Sequence, residues 1–139
     1  MRELKFKFWN KIARRFQAPN KYAIQGDGLY VSYDYDMMAW DDPSSFDRSI
    51  LVPCQYTGLK DKNNEEVYEG DIIKYTFDGA SYPKEAVDKI LICEWDQSNA
   101  WFVFKEHDDN ISDGYYWLEI KGYCEVIGNI YENPELLKQ

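Results

Sequence analysis

The chain has one histidine, His107, and three cysteines, Cys54, Cys93 and Cys124, in 139 residues. No C-x-x-C occurs, which excludes a zinc ribbon and a thioredoxin-type redox pair. Three scattered thiols are too few, and odd in number, for a disulfide scaffold; they read as reduced side chains packed as small apolar groups. Long apolar runs are missing as well. Stretches such as Ile50-Leu51-Val52 and Trp101-Phe102-Val103-Phe104 fall far short of the ~20 residues a spanning helix requires. Met1-Arg2-Glu3-Leu4-Lys5 is not followed by the apolar core of a secretory signal. A cytoplasmic protein without membrane contact is therefore expected, and Asn110-Ile111-Ser112 is a chance match to the glycosylation sequon. Neither G-x-x-x-x-G-K nor G-x-G-x-x-G is present, which removes the phosphate-binding loops, and there is no G-x-S-x-G or internal repeat.

What is present is apolar and aromatic. Hydrophobic residues make up 45% of the chain and aromatics 17%, enough to argue against intrinsic disorder. A chain of this length buries roughly 70% of its unfolded surface and needs no metal to hold a core. Five tryptophans and 12 tyrosines read first as core and interface, because they bury large area with few rotors.

The net charge of −9 hides a division. Arg2, Lys5, Lys7, Lys11, Arg14, Arg15 and Lys21 stand against the single acid Glu3 over residues 1–21, a local +6, while the rest carries nine basic and 24 acidic residues, or −15. Such polarity marks either a basic arm for an anionic partner or attraction between copies of the chain. Leu4, Phe6 and Phe8 alternate with Glu3, Lys5 and Lys7, the two-residue period of a half-buried strand. Ile12, Ala13 and Phe16 then share a turn-spaced face that predicts a short basic amphipathic helix or an irregular turn ending before Pro19. Lys5, Lys7, Trp9, Lys11, Arg14 and Arg15 are the candidate nucleic-acid contacts. The acidic isoelectric point, about 4.6, weighs against a dedicated nucleic-acid binder.

Downstream, short strands are separated by turns. Gly26-Asp27-Gly28 is a turn, Leu29 to Trp40 is β-like, and Asp41-Asp42-Pro43-Ser44-Ser45 breaks it. Ile50-Leu51-Val52 is an apolar strand stopped by Pro53. Val67-Tyr68 precedes Glu69-Gly70-Asp71, where Gly70 is placed for a bulge or a positive φ, and Ile72 to Phe77 is a β-branched and aromatic strand. Ile90–Trp95 and Trp101–Lys105 make a hairpin around Asp96-Gln97-Ser98-Asn99. Tyr115–Ile120 and Cys124–Tyr131 are further strands; Asn133-Pro134-Glu135 is a cap, and Leu136 and Leu137 close a short helix on the body. The pattern indicates a small barrel or sandwich.

Catalytic constellations are hard to find. His107 lies in an acidic loop with no partner spacing for a triad or a zinc site. Asp61-x-Asn63-x-Glu65 begins like an EF-hand loop, but Glu66 stands where glycine is needed and Ile72 where the bidentate glutamate belongs. Asp34 with Asp36, or Asp41 with Asp42, could hold a divalent ion only loosely. Tyr33, Tyr35 and Trp40 beside these aspartates make a poor nucleic-acid platform, since phosphate is repelled.

Three blocks resemble the YopX family of phage and prophage proteins: Lys5-Phe6-Lys7-Phe8-Trp9; Gln55-Tyr56-Thr57-Gly58-Leu59-Lys60-Asp61-Lys62-Asn63 with Val67-Tyr68-Glu69-Gly70-Asp71-Ile72-Ile73; and Glu125-Val126-Ile127-Gly128-Asn129-Ile130-Tyr131-Glu132-Asn133-Pro134-Glu135-Leu136-Leu137. Asn64 replaces the family's usual glycine, and asparagine can also adopt the left-handed conformation of a tight turn. The resemblance implies a mainly β (β-rich α+β) fold. Its C-terminal part, residues 54–139, would be a small SH3-like barrel ending in a short helix, with a β-rich segment of residues 1–53 attached. It also implies phage or prophage origin, action in a bacterial cell, and no catalytic residues. Tyr56, Gly58, Tyr68, Gly70, Asp71, Gly128 and Asn129 are expected to serve architecture. The resulting expectation is a non-enzymatic accessory protein without cofactor or metal, binding an unidentified host or phage protein and forming a homo-oligomer. The alternatives are nucleic-acid binding through the basic aromatic segment, or an acidic decoy for a host nucleic-acid-binding protein.

Overall fold

The computed structural model describes residues 3–17, 22–24, 30–32, 51–77, 87–107 and 122–138. It is mainly β and antiparallel, with one short 3-10 helix among the described residues. Two compact units are present: Met1–Lys5 with Gln55–Gln139, and Phe6–Cys54.

In the second unit, β1 (Phe6–Asn10) and β2 (Arg15–Phe16) form a hairpin with Trp9 opposite Phe16 and Asn10 opposite Arg15. Of the two forms expected for this segment, a short helix or an irregular turn, the structure has the turn, at the tip of the hairpin. The Asn10 side chain accepts from the N–H groups of Ile12 and Ala13 at 3.0 and 2.8 Å, and the Arg14 N–H returns to the Asn10 carbonyl at 2.8 Å. Arg14, at φ 54, turns the chain back into β2. One helical turn and one tight turn leave the same short spacing of apolar residues, so Ile12, Ala13 and Phe16 could not separate them. The strands β3 (Tyr22–Ile24) and β4 (Tyr30–Ser32) pair with each other.

The strand β5 (Leu51–Lys60) passes from the second unit into the first at Cys54. Pro53 does not stop it, because proline removes only an N–H and its fixed φ suits extended backbone. The sequence-predicted turn at Gly26-Asp27-Gly28, most of the Leu29–Trp40 strand, the loops holding Asp34, Asp36, Asp41 and Asp42, and the Tyr115–Ile120 strand lie outside the described residues.

The first unit is built on β6 (Glu66–Tyr68), β7 (Asp71–Phe77), β8 (Val87–Asp96), β9 (Trp101–Glu106) and β10 (Cys124–Asn129). One of the two four-stranded sheets lies within this unit and has the order β10-β7-β8-β9. Alternate residues Ile73 and Tyr75, Leu91 and Cys93, Phe102 and Phe104, and Cys124 and Val126 turn to one face and close around Val67 and Leu59. The sheet wraps this cluster as a half-barrel. Val67, Ile73, Leu91 and Phe104 are wholly buried, each contributing about 1.5–3 kcal/mol of apolar transfer. Ile72, Ile92 and Val103, on the opposite face, are buried too, so the sheet is covered on both sides.

The β8–β9 hairpin repeats the construction of the β1–β2 tip. Asp96 accepts from the Ser98 and Asn99 N–H groups at 2.9 and 3.4 Å, the Ala100 N–H reaches the Asp96 carbonyl at 2.8 Å, and Ala100 has φ 56. At the C-terminus a 3-10 helix spans Pro134–Lys138. Leu136 and Leu137, expected in a short helix here, are half-buried in it. Asn133 does not cap that helix with its side chain; its Oδ1 reaches back to the N–H of Asn129 at 3.2 Å, and β10 ends there.

Candidate functional site

The residues singled out in the central and closing blocks meet at one place. Asp71 begins β7 and sits opposite Asn129, the last residue of β10. Both are buried, at 3% and 6% exposure, so their polar atoms need partners within the protein. Asp71 Oδ1 accepts from Asn129 Nδ2 at 3.0 Å and its Oδ2 from the Tyr68 N–H at 2.7 Å; Asn129 Oδ1 accepts from the Tyr131 N–H at 3.0 Å. Gly70 is the crossing point: its N–H donates to the Cys93 carbonyl at 2.8 Å and its carbonyl accepts from Ile130 at 2.9 Å. Its φ is +86, and a Cβ there would stand 3.2 Å from the Tyr131 ring. Gly128 is required by space, since a Cβ would come within 2.7 Å of Asn133 Oδ1 and 2.9 Å of Leu136. Gly58, also at φ +86, faces open space and marks a register irregularity between Tyr56 and Lys60.

Asp61 follows the same logic. Its carboxylate, in a residue only 7% exposed, accepts from the N–H groups of Asn63, Glu65 and Val126 at 2.8, 2.9 and 2.9 Å. This ties the β5–β6 turn to β10, beside the register shift between Val126 and Gly128. Asn64 takes φ 67 in that turn. The resemblance to a calcium loop ends here, with both Asp61 oxygens engaged by backbone donors.

The basic N-terminal residues divide. Lys5 is paired with Glu66 and Glu3 and lies 5.3 Å over the Tyr56 ring. The two carboxylates hold its ammonium above the ordinary lysine range. Glu66 is drawn below the usual carboxylate range, first by Lys5 and then by the Tyr68 hydroxyl. Burial and the neighbouring Glu66 raise the Tyr68 phenol. Tyr68 also stacks at a tilt on its cross-strand partner Tyr56, 5.4 Å between centroids. Trp9 is buried edge-on against Phe16 at 5.2 Å, and Lys7 lies over the same ring at 5.7 Å. Lys11, Arg14 and Arg15 are exposed on the hairpin tip with Ile12, which is 75% exposed. Thus Lys5, Lys7 and Trp9 belong to packed clusters, while Lys11, Arg14 and Arg15 stand together at the surface.

A feature missed by the sequence reading is a cleft of about 420 Å³ in the first unit. It is lined by Glu69, Gly70, Ile92, Cys93, Glu94, Trp95, His107, Ile130, Tyr131 and Leu137. The Cys93 thiol is pushed well above its ordinary value, first by burial and then by the negative charge of Asp71, Glu69 and Glu94. Sequence reasoning had the individual residues but no spacing that joins them, because they come from β8, the β6–β7 turn and the segments after β9 and β10. Cys54, Cys93 and Cys124 are all buried and form no disulfide. Among the described residues, no group of three or more His, Cys, Asp or Glu side chains could hold a metal ion, and no helix is long and apolar enough to cross a membrane.

The fold is similar to the crystal structure of protein EF1440 from Enterococcus faecalis, with a TM-score of 0.63 and 22% identity over 99% of each chain. No curated protein matches the chain. The family model described as YopX protein matches residues 5–138. The chain belongs to the YopX family.

Proposed function

We propose that the chain is a non-enzymatic phage or prophage accessory protein that acts in the bacterial cytoplasm through protein binding and self-association, and that its half-barrel is a variant of the SH3-like barrel. The observation that carries this reading is the direction in which the family blocks point. Asp61, Asp71 and Asn129 direct their polar groups to internal partners, so the blocks supply framework, and the surface is left to do the work. That surface is polarised: exposed Lys11, Arg14 and Arg15 on a hairpin tip, within a chain of net charge −9. Opposite charges on separate patches favour contact between copies or with a charged protein. Size-exclusion chromatography with light scattering, at low and high salt, tests the assembly. An oligomer that loosens with salt supports the reading; a monomer throughout removes self-association from it.

The same exposed hairpin tip favours a second reading, in which Lys11, Arg14 and Arg15 contact nucleic-acid phosphates. Counterion release then requires steep salt dependence. Fluorescence anisotropy of a labelled single strand at about 50 mM salt reads it; an unchanged signal ends it.

A further inference from the structure

We propose, resting on the self-association reading, that the β1–β2 hairpin tip of one copy docks on the acidic first unit of a second copy of this chain. Ile12 is the apolar anchor of the contact, and Lys11, Arg14 and Arg15 are its charged rim.

The tip is built before any partner arrives. Asn10 Oδ1 accepts from the Ile12 and Ala13 N–H groups, and the Arg14 N–H closes on the Asn10 carbonyl. At the base, the Gln17 N–H donates to the Phe8 carbonyl at 2.8 Å and Trp9 meets Phe16 edge-on. A turn held in this way loses little freedom when it is bound. An isoleucine exposed by itself is ordinary on a protein surface. Ile12, at 75% exposure, is set among Lys11, Arg14 and Arg15, which are all exposed and form no ion pair with a described residue. Arginine is enriched at interfaces because its stem covers apolar surface while its fork of donors reaches carboxylates.

The complement to this tip is on the same chain. The first unit carries 10 basic and 19 acidic residues and with them the whole net charge of −9, whereas the second unit has six of each. The tip belongs to the neutral unit and stands exposed in a single copy, so its unpaired cations are answered by the first unit of another copy. That unit also exposes Leu4, Trp95, Trp101 and Tyr123, and so offers apolar contact as well as charge. A nucleic-acid backbone is the rival partner. It attracts the three cations but has no apolar surface for Ile12, and the negative first unit repels it. The same negative charge attracts the tip of a second copy.

Sedimentation velocity of the full chain at low and high salt tests this. The expected result is an oligomer that loosens with salt. Ile12→Ser and Lys11→Glu should each raise its dissociation constant about tenfold or more, with an unchanged urea midpoint. Lys138→Glu makes the same change in net charge on an exposed residue of the first unit and should leave assembly nearly as it was. In a mixture of isotope-labelled and unlabelled copies, a carbodiimide should join Lys11 of one copy to a carboxylate of residues 55–139 of another. Lys11→Arg, which keeps the charge, should assemble without forming that link. An oligomer that Ile12→Ser and Lys11→Glu leave intact, one that Lys138→Glu weakens equally, or one with no Lys11 link between copies overturns the proposal and leaves self-association standing. A monomer under all conditions overturns both. An assembly that nuclease treatment dissolves also overturns the proposal, in favour of nucleic acid at the tip.

Discussion

Asp71 and Asn129, 58 residues apart, are joined by a 3.0 Å hydrogen bond at the ends of two paired strands. The bond closes the half-barrel where the chain turns from β6 into β7 and where β10 gives way to the C-terminal segment. Asp71→Ala leaves the Tyr68 N–H and the Asn129 amide without their acceptor, and a loss of about 2–3 kcal/mol is expected. Asn129→Ala should lose about 1–3 kcal/mol by the same argument. Because both substitutions break one bond, the double variant should lose less than the sum, as read by urea unfolding. Strict additivity would mean that the pair is not coupled.

Gly58 and Gly70 share φ +86 but differ in surroundings. Gly58→Ala meets only backbone strain, about 1 kcal/mol. Gly70→Ala adds a Cβ at 3.2 Å from the Tyr131 ring, next to backbone held by two hydrogen bonds, and should lose roughly 2–4 kcal/mol. Thermal or urea unfolding of the two variants gives the comparison; equal losses would show that Tyr131 yields freely.

Much of this was legible where local chemistry decides. Glycine between Glu69 and Asp71 at the start of a β-branched run marked a positive φ, and Asn64 could be placed in a left-handed turn for the same reason. The β8–β9 hairpin followed from two alternating runs around Asp96. Long-range pairing was not legible. Nothing beside Asp61 in sequence says that its carboxylate holds the Val126 N–H, and Asn133 before Pro134 carries every local sign of a forward cap while its side chain turns back to Asn129. Turn-spaced residues 12, 13 and 16 fit a helix as well as a hairpin tip. The cleft was hidden because its walls come from four separate segments.

Acid should reach the Lys5–Glu66 pair. Lys5 and the Tyr68 hydroxyl lower the folded-state pKa of Glu66, so its contribution is present above the usual carboxylate range and is lost as pH falls through the depressed value. Glu66→Gln should therefore flatten part of the decline in stability between about pH 5 and pH 3. Urea midpoints across that range supply the test, and parallel curves for the two proteins would contradict it.

The thiols should be silent in the native state. Cys54 is 1% exposed and Cys93 and Cys124 are wholly buried; burial pushes Cys124 up to about 11 and Cys93 well above its ordinary value. At about pH 8 the folded protein should not react with Ellman's reagent while the denatured chain releases three equivalents. A fast native equivalent would mean that one of these sites opens without unfolding.

Native-state amide exchange followed by NMR probes the framework most directly. The Tyr68, Gly70 and Ile130 N–H groups end on Asp71, Cys93 and Gly70, all within the first unit. If these bonds close the half-barrel, the three amides exchange only through global opening, with free energies equal to that of urea unfolding. Exchange within minutes at neutral pH, in a protein otherwise protected, would show that the Gly70 crossing is loose and that its residues do not hold the fold together.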